Sequence, residues 1–292
     1  MIRFAPCEKD CFENCSRSVC QNRFPVYLFP QNGKKVYRIL SDAKCIGYES
    51  YYGDEDASCA YLSLYLKEIS EAAYEAMRLL TERLIRKYHP GKIVLRCPQE
   101  RVAQFLKGLG FDPEDEHYAK VIEPWRCQVE DRVFDDEGFI INQGLLKDLP
   151  FGWFMTDAKG CGWISAYNLL KINHMEKSME ECARGLEKRA LFGNAMGQEV
   201  LTEWFWLKKQ GLDCRISRPS NRKAAEIMKE SSSGIVLYNH KRGAHYAAYR
   251  NLRNGTVKFY NAFYGRKNHR QKPEEFLKEN TLFPTTIVIY VK

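Results

Sequence analysis

The chain has 292 residues, of which 45% are apolar and 28% are charged, and its formal net charge is +8. This length predicts one large domain or two modest ones, and the composition argues against a disordered chain, a collagen or a coiled coil. No segment has the roughly 18 consecutive apolar residues of a membrane helix. The first residues lack the basic-then-apolar pattern of a signal peptide.

Eleven residues are cysteine, an odd number. In a long chain with no visible export signal, this predicts reduced thiols in the cytoplasm rather than a disulfide framework. Four of them crowd the N-terminus: Cys7, Cys11, Cys15 and Cys20. Because helical spacing would put the first three on one face, residues 1–22 are interpreted as a separate segment that could hold zinc or another metal. The spacing C-x3-C-x3-C-x4-C is not a common metal motif, so ordinary reduced thiols are the alternative.

Regular apolar segments follow, between residues 24 and 123. Strands are predicted at 25–29, 35–40, 44–52, 58–66, 92–97 and 118–122, and helices after Ser70 and at 99–109. Ser70 is a suitable N-cap for the first helix, in which Met77, Leu80 and Leu84 recur at steps of three and four.

This order of elements resembles the second half of a GNAT acetyltransferase fold, and the sequence KIVLRCPQERVAQFLKGLGF at 92–111 carries the likeness. The resemblance implies a mixed sheet with helices over residues 23–128. That family holds the acetyl-CoA pyrophosphate on backbone N–H groups of a glycine-containing loop at the start of its long helix. Here the matching segment, EISEAAY at 68–74, has no glycine and two acids. We therefore expect a GNAT-like domain that does not bind acetyl-CoA.

The pattern breaks between residues 124 and 150, where Pro-Trp-Arg precedes a cluster of acids. We place the domain boundary between residues 128 and 129, so that the second domain covers 129–292.

The sequence FGWFMTDAKGCGWISAYNLLKI at 151–172 predicts a loop followed by a buried helix that begins at Cys161. A helix N-terminus has unpaired N–H groups and a partial positive charge, and both stabilise a thiolate. The flanking Gly160 and Gly162 would leave room for a substrate carbonyl, and the Cys161 N–H could bind an oxyanion. Cys161 is therefore the candidate nucleophile.

A base and an orienting group are expected further along the chain. His245 lies in a predicted strand at 243–249, and Asn261 ends the next one, at 256–260. The Asn-Gly turn between these strands would bring both residues to the same end of a hairpin, where Asn261 could accept the imidazole N–H. His240 is the rival base. Taken singly, each residue is also consistent with an ordinary structural role.

At these residues the second domain resembles a papain-like cysteine peptidase, of the bacterial bacteriocin-processing group. The matching pieces are GCGWISAYNLL around the cysteine, GAHYAAYR around the histidine and FYNAFYG around the asparagine. The resemblance implies a catalytic helix packed on an antiparallel sheet, and no cofactor. It implies Cys161 as nucleophile, His245 as general base and acid, and Asn261 as the residue that orients the imidazole.

In that family a glutamine about six residues before the cysteine completes the oxyanion hole, but Met155 stands there in this chain. The candidates to replace it are Thr156, Asp157 and Gln143. Four further residues, close in sequence to the candidate catalytic residues, are candidates for substrate binding: Trp163, Lys241, Arg242 and Tyr264.

Nine bases and no acids occur between residues 241 and 272. This is either a solvated basic face or a surface that attracts an acidic partner. We therefore expect an α+β protein of two domains that acts as a cysteine peptidase or amidase on a peptide. If the basic stretch attracts the substrate, that peptide is acidic. The alternatives are an acyltransferase that uses the same cysteine, an active GNAT acetyltransferase, and a non-catalytic protein that binds nucleic acid through interleaved bases and aromatics.

Overall fold

The computed structural model divides the chain into two compact units, Met1–Ile122 and Glu123–Lys292. Both combine helices with β-sheet, so the protein is α+β. The structure describes residues 1–7, 36–53, 58–97, 99–188, 197–241, 243–262 and 269–292.

The first unit is a twisted sheet with a long helix. Its elements are β1 (Ile2–Pro6), β2 (Tyr37–Ser41), β3 (Lys44–Gly53), β4 (Cys59–Leu66), α1 (Glu71–Tyr88), β5 (Lys92–Arg96), α2 (Ala103–Gly108), β6 (Asp112–Glu114) and β7 (His117–Val121). The strand order is β1-β2-β3-β4-β5-β7-β6, antiparallel except for the parallel pair β4–β5. A parallel pair needs a crossover, and α1 supplies it.

Helix α1 follows the predicted pattern. Met77, Leu80 and Leu84 are fully buried in the core of the first unit. Ser70 occupies the N-cap with an extended backbone, although its side chain makes no capping hydrogen bond. His89 ends the helix in the left-handed conformation. The helix therefore depends on its apolar face more than on its cap.

Residues 1–7 of the predicted N-terminal segment join the sheet of the first unit. Strand β1 pairs along its whole length with β2, and the N–H of Cys7 donates to the Val36 carbonyl at 2.8 Å. The other three cysteines of the predicted metal cluster, Cys11, Cys15 and Cys20, lie outside the described residues, as does the strand predicted at 25–29. Among the residues that are described, no group of three or more potential metal ligands occurs.

The second unit has helices on a six-stranded antiparallel sheet. Its elements are α3 (Pro124–Gln128), β8 (Pro150–Phe151), β9 (Phe154–Met155), α4 (Thr156–Lys159), α5 (Cys161–Ile172), α6 (Met179–Glu187), α7 (Val200–Lys209), β10 (Cys214–Ser217), α8 (Asn221–Glu230), β11 (Ser233–His240), β12 (Gly243–Asn251), β13 (Val257–Tyr260), β14 (His269–Gln271), α9 (Pro273–Asn280) and β15 (Ile287–Val291). The strand order is β10-β15-β11-β12-β13-β14, while β8 and β9 form a separate hairpin.

The second unit begins earlier than the boundary predicted at 128/129. The Glu123 carboxylate accepts hydrogen bonds from the N–H groups of Met179 and Glu180, at the start of α6. Trp125 packs in the same core as Trp163, with ring centroids 6.4 Å apart. A carboxylate at a helix N-terminus and a buried indole thus tie residues 123–128 to the second unit.

A buried charge cluster fixes the segment that leads into the second sheet. The Lys258 ammonium on β13 lies 3.2 Å from Asp135 and 3.4 Å from Glu137, and all three side chains are nearly inaccessible. Arg250 lies 4.0 Å from Glu137. Two of the nine bases in the basic stretch therefore belong to this buried cluster. These two are not free to attract an acidic substrate.

No helix within the described ranges is long and apolar enough to cross a membrane.

We predict that Glu49 makes the first unit less stable as the pH rises. Its side chain is fully buried on β3, and neither carboxylate oxygen has a hydrogen-bond partner within the described residues. Burial raises its pKa to about 8, although the charge of Arg83 opposes the shift. The folded state therefore keeps a proton that the unfolded state, with a pKa near 4.3, releases, and stability falls between these two values.

The Glu49→Gln variant should remove this pH dependence and be more stable than the parent by a few kcal/mol above pH 8. Denaturant unfolding between pH 5 and about 9 measures the effect, with Glu116→Gln, at an exposed position, as the matched control. Equal pH dependence of parent and Glu49→Gln would contradict the prediction.

Candidate functional site

The candidate nucleophile lies where α5 meets the sheet. As expected, α5 starts at Cys161, and the helix after it is almost entirely buried. The backbone N–H groups of Tyr246, Gly162 and Cys161 itself act on the sulfur and favour its thiolate form. Two of these donors belong to the helix start and one to strand β12, so the sulfur is held between two elements.

The geometry of the sheet makes this contact with β12 accessible. Strand β13 pairs with β12 only from Ala248 to Asn251. Tyr246 precedes that paired segment, and its backbone N–H lowers the pKa of the Cys161 thiol. The N–H of Tyr246, the residue directly after His245, is therefore one of the backbone groups that favour the thiolate form of Cys161.

His245 is buried and has a defined tautomer. Its Nε2 lies 2.6 Å from the main-chain carbonyl oxygen of Asn261. A carbonyl oxygen only accepts, so Nε2 carries the proton and the lone pair is on Nδ1. Burial lowers the pKa of His245, with the Asn261 hydrogen bond opposing the shift. The imidazole is therefore neutral near pH 7 and able to act as a base.

Asn261 contacts the His245 imidazole through its main chain, not through its side chain as predicted. It ends β13 with φ at 55°, a left-handed conformation that asparagine tolerates better than most residues. Its side chain is turned to Gln143, whose N–H donates to Oδ1 at 3.1 Å and whose Oε1 accepts from Nδ2 at 3.0 Å. One residue therefore holds the imidazole with its carbonyl and the preceding loop with its amide.

The structure does not leave Gln143 free as an oxyanion donor. Both N–H bonds of its carboxamide are used, donating to the carbonyls of Thr156 and Asp157 at 2.9 Å each. The Thr156 hydroxyl is buried and has no hydrogen-bond partner in the described chain. Met155, at the position of the family glutamine, is exposed. The backbone N–H groups at the start of α5 remain the candidates for binding an oxyanion.

The glycines beside Cys161 serve the protein's own packing rather than a substrate. A Cβ at Gly160 would lie 2.4 Å from the side chain and 2.6 Å from the carbonyl oxygen of Thr156. A Cβ at Gly162 would lie 2.5 Å from the Gln198 Cβ. The expectation that these glycines leave room for a substrate carbonyl is thus replaced by a steric requirement for close packing.

Two of the four predicted substrate-binding residues, Trp163 and Lys241, lie in the described part of the chain. Trp163 is fully buried in the core of the second unit and cannot line an open site. Lys241 is exposed in the turn between β11 and β12. Arg242 and Tyr264 lie outside the described residues. The rival base, His240, has its ring centroid 6.2 Å from that of His245, but the nucleophile contacts the residue after His245.

A buried polar group behind the nucleophile escaped the sequence analysis. Glu203 on α7 is fully buried, and its Oε1 lies 2.9 Å from the Ser165 hydroxyl of α5. The Tyr246 hydroxyl donates to the Gln198 carbonyl at 2.7 Å. The signal was a lone acid inside the apolar run VLTEWFWL, which is unusual for a solvated helix face.

The resting thiol is neutral, contrary to the expectation from the helix N-terminus. Burial raises the pKa of Cys161 and outweighs the three backbone N–H groups and the charge of Lys159, which lower it. Desolvation therefore dominates over the helix field at this sulfur. A neutral thiol must lose its proton before or as its sulfur attacks a carbonyl carbon.

No family model matches the chain, and no curated protein matches it in sequence. Among solved structures, Tetrahymena GCN5 is similar with 14% identity and a TM-score of 0.32, over 42% of this chain and 97% of that one. The Campylobacter jejuni N-acetyltransferase PseH in complex with acetyl coenzyme A has 11% identity and a TM-score of 0.29, over 42% and 99%. The peptidase domain of Streptococcus ComA, a bi-functional ABC transporter, has 18% identity and a TM-score of 0.34, over 46% and 93%. These low values assign no activity to the chain.

We predict that alkylation of Cys161 by iodoacetamide accelerates continuously from neutral to alkaline pH, with a midpoint above the value of about 8.5 for a free cysteine. The physical reason is the burial that raises the thiol pKa. Peptide-level mass spectrometry over a pH series measures the rate, with the exposed Cys127 as internal reference. A rate that is already maximal below pH 7 would show a preformed thiolate and contradict the prediction.

We predict that Asn261→Gly keeps Cys161 reactive, whereas His245→Ala slows its alkylation at neutral pH. Glycine retains both the left-handed backbone and the carbonyl that accepts from the imidazole. Loss of the two bonds to Gln143 should still lower the free energy of unfolding by about 1–3 kcal/mol. Equal loss of reactivity in both variants would mean that the asparagine side chain orients the base.

Proposed function

We propose that the second unit catalyses acyl transfer through Cys161, as a peptidase or amidase that acts on a peptide. What supports the proposal is one arrangement. A cysteine stands at a helix start, and the N–H of Tyr246 favours its thiolate form. Tyr246 directly follows His245, whose Nε2–H is fixed by a main-chain carbonyl. This arrangement supplies a nucleophile, a base with its lone pair on Nδ1, and N–H donors near the reacting sulfur.

The reaction proceeds in two steps. The Cys161 sulfur attacks the substrate carbonyl carbon while Nδ1 of His245 takes the thiol proton. The imidazolium then gives this proton to the leaving amine as the C–N bond breaks, and a thioester remains. Water attacks the thioester and loses a proton to Nδ1, and the C–S bond breaks to release the acid and the thiol.

Transfer to an amine instead of water would make the protein an acyltransferase, and the same residues would serve. Product analysis with and without an added amine separates the two reactions. An acidic substrate is a weaker part of the proposal, since Lys258 and Arg250 pair with buried acids. The exposed Lys241 supports it from the turn next to His245.

For the first unit we propose a non-catalytic accessory role without acetyl-CoA. Acids lie at the start of its long helix: Glu68 pairs with Lys44 at 2.8 Å and Glu71 lies 3.6 Å from Arg78. Acidic side chains at this place oppose a pyrophosphate, which carries the same sign of charge.

We predict that the full chain hydrolyses para-nitrophenyl acetate with a burst of nitrophenol and an acetyl group on Cys161. Cys161→Ala should abolish the burst, and His245→Ala should slow turnover by about 10²–10⁴-fold, the usual contribution of a general base. Stopped-flow absorbance and intact-mass analysis measure the two signals. Cys127→Ala, at an exposed thiol, is the control and should behave like the parent.

A burst that survives in Cys161→Ala would overturn the proposal. So would an acetyl group that maps to Cys127 rather than to Cys161.

A further inference from the structure

The carboxyl group of Glu203 lies behind the nucleophile in a site that solvent does not reach. Its Oε1 is 2.9 Å from the Ser165 hydroxyl, and its Oε2 has no hydrogen-bond partner in the part of the chain that the structure describes. A Cβ placed on Gly162 would lie 3.6 Å from Oε2, so the acid reaches the first turn of α5. An ionised carboxylate so poorly paired would be costly in this environment.

The hydrogen bonds of Ser165 fix where the protons lie. Its hydroxyl oxygen is 2.7 Å from the Gly162 carbonyl oxygen and 2.9 Å from Glu203. A serine hydroxyl has one proton, and a carbonyl can only accept. If Ser165 donates to Gly162, the proton between Ser165 and Glu203 belongs to the glutamic acid. If Ser165 donated to Glu203 instead, the Ser165 hydroxyl oxygen and the Gly162 carbonyl oxygen would lie 2.7 Å apart with no proton between them.

The groups around Glu203 favour its neutral form. Glu203 interacts electrostatically with four ionisable groups. They are Cys161 of α5, Tyr246 of β12, Cys214 of β10 and Glu199, which directly precedes α7. None of these four can be a cation. Burial is the main cause that raises the Glu203 pKa, and the charges of Cys161 and Glu199 add to it.

We propose that Glu203 is a positioning residue for Cys161: a neutral carboxylic acid that donates to Ser165 and so holds the first turn of α5, whose N–H groups bind the sulfur. The inference rests on the proposed function of Cys161. A carboxylate at this place would oppose the thiolate, because like charges at short range disfavour ionisation. A neutral acid provides the hydrogen bond without that charge.

The test compares Glu203→Gln with Glu203→Met. The glutamine amide N–H can donate to Ser165 as the acid does, so the alkylation rate of Cys161 should stay within about twofold of the parent with an unchanged pH midpoint. Methionine has a similar size but no donor, and the rate should fall by about tenfold, the equivalent of one hydrogen bond. Thermal unfolding checks that both variants fold.

Infrared spectroscopy tests the protonation directly and does not depend on reactivity. The parent at neutral pH should show C=O stretch intensity of protonated carboxylic acids, and Glu203→Gln should lose the part that comes from Glu203 while the Glu49 part remains. Glu49→Gln is the control, because it removes a different protonated carboxyl group, in the first unit.

A shift of the alkylation midpoint to lower pH in Glu203→Gln would show that the parent residue is ionised and would overturn the proposal. Unchanged reactivity in Glu203→Met would overturn it as well. Neither readout requires substrate turnover. Failure of the nitrophenyl ester assay alone would therefore reject the proposed function and not this arrangement of protons.

Discussion

The paired amides of Asn261 and Gln143 connect the two halves of the candidate site. These residues are 118 positions apart in the chain and exchange two hydrogen bonds in a buried position. Asn261 holds the imidazole of His245 with its carbonyl, and Gln143 holds the carbonyls of the turn that precedes Cys161. A small shift at this pair would move base and nucleophile relative to each other. The geometry of catalysis is sensitive to displacements of that size.

The buried charges reinforce the same connection. Lys258 lies on the strand that ends at Asn261, and its partners Asp135 and Glu137 lie shortly before Gln143. A buried ion pair of this kind contributes little net stability, but loss of one partner is costly because the other charge remains unpaired. The cluster therefore fixes which loop lies beside which strand. Two positive charges of the basic stretch, on Lys258 and Arg250, are thereby used inside the fold.

Desolvation has the largest effect on the pKa of the candidate nucleophile, Cys161. The helix start and the Tyr246 N–H favour a thiolate, but burial of the sulfur raises its pKa more than they lower it. The same burial lowers the pKa of His245 and raises that of Glu203. Burial thus favours the neutral form of all three ionisable groups. Charge would appear only as a reaction begins, when preorganised N–H groups give the greatest differential stabilisation.

The sequence alone determined the regular elements of the site: a helix that begins at Cys161, the strand of His245 and the strand that ends before Asn261. Periodicity, turn residues and helix-start signals are local, so they can be read from neighbouring positions. Only the tertiary structure decided that the Asn261 carbonyl holds the base, that Gln143 is already saturated, and that Glu203 lies behind the sulfur. Those outcomes depend on hydrogen bonds and burial between residues tens to more than a hundred positions apart, and such contacts leave no period in a single sequence.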